Sequence, residues 1–78
     1  MELLEAVRAK TAEILGVELD AHDTMTLIPA EQTAAVYNGV AAQLGMSQIS
    51  EEGFGKPLTV RQIEGYLSVG AMRDAGCL

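Results

Sequence analysis

Glycine and proline cut this chain into short windows, and the apolar residues inside each window recur at helical spacing. Gly16 closes the first window, Pro29 and Gly45 bound the second, and "GFGKP" separates the second from the last. Leu3, Leu4, Val7, Thr11, Ile14 and Leu15 lie on one side of a helix over residues 2–15. Glu2 and Glu5 suit the positive end of its dipole, and Gly16 suits a left-handed C-cap. In the second window, Val36, Val40 and Leu44 form an i, i+4, i+8 row that Tyr37 and Ala41 widen. Pro29 fits the first turn of that helix, since its missing N–H has no partner there. The last helix opens at "TVRQ", a capping box in which Thr59 and Gln62 satisfy each other's backbone. Its apolar face is Val60, Ile63, Tyr66, Leu67 and Met72.

The segments between are less regular. "VELDAHDTMTLI" mixes turn formers with Val17, Leu19, Met25, Leu27 and Ile28, which predicts a connection folded back on the core. Residues 46–58 allow one short turn of helix, with Phe54 anchoring it. No strand-like alternation or internal repeat is present. The pattern predicts an all-α fold, a small three-to-four-helix bundle over residues 1–70, with 71–78 as a flexible tail.

Size and charge limit what such a chain does. Seventy-eight residues make one domain, which buries roughly 60–65% of its unfolded surface. That leaves no room for a deep, well-supported catalytic cleft, and the expectation is a protein that is not an enzyme. Eleven acids against five scattered bases give a net charge of −6. Nucleic acid and anionic membranes need clustered cations, so neither is an expected partner, and a basic protein is. No segment has the ~20 apolar residues of a membrane span. Cys77 is the only cysteine, so no internal disulfide forms. A reducing, cytoplasmic setting is expected.

Two quoted stretches carry a resemblance. "LLEAVRAKTAEILGV" looks like the first helix of an acyl carrier protein, and "PLTVRQIEGYL" looks like its last. Together they bracket residues 3–67 in the family's order. The resemblance implies a carrier-type helical bundle. It also implies a serine at the start of the second helix, bearing a 4'-phosphopantetheine arm whose thiol carries acyl groups. A helix N-terminus suits the phosphate of such an arm. Here the matching stretch is "LIPAEQT", and the serine position is Ala30 or Glu31. Neither side chain has a hydroxyl, so no cofactor is expected. The implied function is binding to other proteins in a fatty-acid, polyketide or nonribosomal peptide type pathway.

An alternative keeps the arm, on Ser47 of "LGMSQI", although Ser47 lies too near the last helix for the family's spacing. Its plainer reading is the N-cap of a short helix. Thr33, inside the second helix, is a weaker acceptor still. Another alternative is a helical regulatory or oligomerisation module unrelated to carriers. The second helix has one charge, Glu31, over residues 28–45. Its Ala34, Ala35, Asn38, Gly39 and Ala42 form a candidate interaction surface, including a homodimer contact.

Other candidates read as structural. His22 beside Asp20 and Asp23 makes a poor metal site without a second ligand cluster. Glu51 and Glu52 are adjacent turn acids rather than an opposed catalytic pair. Met25, Met46 and Met72 read as core fillers. Cys77 has no neighbouring base to activate it.

Overall fold

A computed structural model describes residues 2–76. Three helices carry it: α1 (Leu3–Leu15), α2 (Thr33–Leu44) and α3 (Val60–Asp74). Gly16 and Gly45 end α1 and α2 with φ of 68° and 69°, in the left-handed region where glycine costs least. The capping box of α3 is formed: the Gln62 amide donates to Thr59 Oγ1 at 3.2 Å, and the Thr59 amide donates to Gln62 Oε1 at 2.8 Å. α1 packs on both α2 and α3, and the α2–α3 contact is smaller.

Several boundaries differ from expectation. Pro29 does not start α2 directly. It precedes a 3₁₀ turn, Ala30–Gln32, and α2 begins at Thr33. The predicted short helix in residues 46–58 does not form: residues 46–50 have no regular structure and residues 51–54 turn, with Gly53 and Gly55 at positive φ. α3 does not end at Gly70 but runs to Asp74. Cys77 lies outside the described residues.

The fold is also not purely helical. β1 (Leu27–Ile28) pairs antiparallel with β2 (Leu58–Thr59), Leu27 opposite Thr59 and Ile28 opposite Leu58. The next two amides continue this tie, Val60 donating to the Thr26 carbonyl and Arg61 to the Thr24 carbonyl. First-turn amides of a helix have no partner within it. Here the connection from α1 supplies partners to α3.

The core is Val7, Ile28, Val36, Tyr37, Val40, Ala41, Leu58, Val60, Ile63 and Leu67, with Ala6 beside them. Leu3, Leu4, Ile14, Leu19, Met46, Ile49 and Phe54 pack around it. Leu44, Tyr66 and Met72 were expected inside but are exposed, as are Val17, Met25 and Leu27. The connection is therefore held to the body by backbone hydrogen bonds, Ile28 and the half-buried Leu19, while Val17, Met25 and Leu27 stay in solvent. Among the described residues, no helix is long and apolar enough to cross a membrane.

Candidate functional site

The start of α2 is closed. Ala30 is half-buried and Glu31 is exposed on the 3₁₀ turn. Thr33 has the one hydroxyl at this helix start. Its side chain is fully buried and donates to the Ala30 carbonyl at 2.8 Å. Gly53, from the α2–β2 segment, lies on top. A Cβ at Gly53 would stand 2.6 Å from Thr33 Oγ1 and 3.1 Å from the Ala34 amide nitrogen. Gly53 also has φ of 67°. Glycine meets both demands, for close approach and for left-handed backbone. The cover leaves no path for a phosphate to the Thr33 hydroxyl.

Beside this cover runs an open cleft of about 440 Å³, lined by Glu31, Ala34, Ala35, Asn38 and Glu51. The sequence-predicted surface thus divides. Ala35 and Ala42 are exposed, while Ala34 is only 4% exposed beneath the Gly53 segment. Asn38 uses its side chain internally: Nδ2 donates to the Ile49 carbonyl at 2.9 Å, and Oδ1 accepts from the Ile49 amide at 2.8 Å. Gly39 faces α1, where an added Cβ would stand 2.7 Å from Lys10 Cδ. Its small size lets the Lys10 stem cross α2 on the way to an ion pair with Glu13, at 3.0 Å. Close approach at Gly39 is therefore already used within the chain.

The remaining candidates are placed as follows. Ser47 is exposed in the irregular segment after Gly45, with its amide donating to Asp74 Oδ2 at 2.8 Å. It caps no helix. Asp20 accepts the His22 amide at 2.8 Å, and His22 is exposed. Asp23 Oδ1 accepts the Met25 amide at 2.8 Å and the Thr26 amide at 3.0 Å, and its other oxygen takes the Thr26 hydroxyl. Its backbone carbonyl accepts from Arg8 at 3.3 Å. The Thr26 hydroxyl first, then the two amides, hold the Asp23 carboxyl below the ordinary 3.8. These carboxylates shape a turn.

A second feature escaped the sequence reading. Phe54 stacks on Tyr66, ring centres 4.4 Å apart, and meets Tyr37 edge-on at 5.8 Å. Gly70 makes room for the Tyr37 hydroxyl, which an added Cβ would strike. Burial first, and then the nearby Asp74, push the Tyr37 phenol above its ordinary 10.0. The only signals in sequence were a lone Phe between glycines and a glycine within the last helical window. Compared with protein-family models, curated proteins and solved structures, the chain finds no match.

Proposed function

We propose that this chain is an acyl-carrier-like helical domain that bears no phosphopantetheine arm and acts by binding other proteins, without chemistry of its own. The observation that carries the reading is the closed start of α2. Its single hydroxyl is buried, bonded to Ala30 and covered by Gly53. The motif resemblance of α1 and α3 is the support for the carrier-like reading, and the cleft beside the cover offers a place for recognition. Glu31 and Glu51 stand at that cleft between small alanine walls. Such a surface suits a basic side chain of a partner. The partner class is a basic enzyme of fatty-acid, polyketide or nonribosomal peptide type synthesis.

Intact mass after incubation with coenzyme A and a broad-specificity phosphopantetheinyl transferase tests the reading. The expected result is no change in mass. A gain of one arm would overturn it, and Ser→Ala variants at Ser47, Ser50 and Ser68 would then locate the attachment.

A further inference from the structure

α3 has two apolar faces, and the core accounts for one. Val60, Ile63 and Leu67 are fully buried. On the opposite side Gln62, Gly65, Tyr66, Val69 and Met72 recur at i, i+3, i+4, i+7 and i+10, again one helical stripe. Tyr66, Val69 and Met72 are 40%, 43% and 48% exposed. A Cβ at Gly65 would meet nothing within 4 Å, so nothing within the fold asks for glycine there. Two clefts open along this side. One, of about 370 Å³, is lined by Gln62, Gly65, Tyr66 and Val69. The other, of about 110 Å³, shares Tyr66 and Val69 and continues to Phe54 and Arg73.

Charge distinguishes this side from the rest of the molecule. Of the five bases, Arg8 is tied to the Asp23 carbonyl and Lys10 to Glu13. The other three, Lys56, Arg61 and Arg73, are exposed and make no ion pair among the described residues. All three belong to α3 or the turn leading into it. Arg73 lines the apolar cleft, and Arg61 lies a helix's reach away, about 18 Å along the axis at 1.5 Å per residue. The acids of α3, Glu64 and Asp74, keep their charge but lie off this stripe: at roughly 100° per residue each falls about 140° from its centre. In a protein of net charge −6, two unpaired cations, Arg61 and Arg73, thus flank the exposed apolar stripe of α3 by helical phase, on opposite sides.

We propose that the outer face of α3 docks an amphipathic helix of a partner protein whose apolar side is flanked by acidic residues. The Gly65 notch admits a close helix approach, Tyr66 and Val69 supply apolar contact, and Arg73 with Arg61 sets the charge of the occupant. A second copy of the chain does not fit this description, because its own α3 brings the same cations. The face is separate from the acidic cleft at α2, and its proposed occupant has the opposite charge.

Two synthetic amphipathic helices with the same leucine face, one flanked by Glu and one by Lys, test this by NMR titration of the full isotope-labelled chain. The Glu peptide should saturate, shifting Gly65, Tyr66, Val69 and Met72, and should bind about 10-fold or more tightly than the Lys peptide. Arg73→Glu should reverse that order, and Val69→Ser, at an exposed position, should weaken both peptides while the helical circular dichroism is kept. Absence of saturable shifts, equal affinity for the two peptides, or shifts confined to α1 and α2 would overturn the proposal. So would α3-dependent pelleting with phosphatidylserine vesicles in place of peptide binding, or a dimer of the free chain that Val69→Ser dissociates.

Discussion

Thr11 is the residue whose side-chain chemistry is most at odds with its burial. It occupies an apolar position of α1 and is fully buried, yet its hydroxyl is the one buried side-chain polar atom without a hydrogen-bond partner among the described residues. A buried donor left unpaired loses its water without compensation, at roughly 1–3 kcal/mol. Valine has nearly the same shape and no hydroxyl. Thr11→Val should therefore raise unfolding stability by about 1 kcal/mol in urea titration. A destabilised variant would mean that the hydroxyl has a partner in solution. Helical spacing placed Thr11 inside correctly, since position depends only on phase along the helix. Spacing carries no information on whether a neighbouring carbonyl is free to accept, which the three-dimensional packing decides.

The same divide between local and distant causes runs through the elements. Gly16, Gly45 and the Thr59–Gln62 box act within one turn of their own helix, so the ends they set were legible in the sequence. The two connections were not, because distant partners organise them. Thr24, Thr26, Leu27 and Ile28 take their form from backbone bonds to β2 and the start of α3. Residues 46–58 are tied by Asn38 to α2 and by Asp74 to α3, and these ties replace the short helix that composition allowed. At the start of α2, the lack of a hydroxyl at Ala30 and Glu31 was legible, while the Gly53 cover over Thr33 was not. The α1–α2 connection also brings a dependence on pH. Asp23 binds its proton less readily in the fold than in the unfolded chain, through Thr26 first and then the amides. Its contribution is thus present above the unfolded value, near 3.9. It is lost as pH falls through the lower folded value. Asn at this position still accepts the two amides but cannot accept the Thr26 hydroxyl on its nitrogen. Asp23→Asn should remove this component, so that the stability difference between native chain and variant shrinks as pH drops below about 4. A carboxyl titration of Asp23 at or above 3.8 would sink the argument.

At the scale of the whole molecule, no part is free to fold alone. The radius of gyration is 11.6 Å, close to the roughly 11.5 Å of a compact domain this long. Stability of about 0.05–0.15 kcal/mol per residue gives roughly 4–12 kcal/mol in total. That total is shared among helices of 13, 12 and 15 residues, each near the length at which an isolated helix is marginal in water. Every helix thus depends on the others, and α1 touches both. The aromatic cluster makes this dependence measurable, because Tyr37 is on α2, Phe54 in the segment after it and Tyr66 on α3. The chain has no tryptophan, so its tyrosine fluorescence reports on Tyr37 and Tyr66 alone. Far-UV circular dichroism reports on all three helices. In a urea titration the two signals should change together, with one midpoint and one slope, as a single cooperative unit requires. An earlier tyrosine transition would mean that residues 46–58 detach while the helices persist. The cover over Thr33 would then open below the global unfolding free energy, which would expose the hydroxyl that the closed start of α2 withholds.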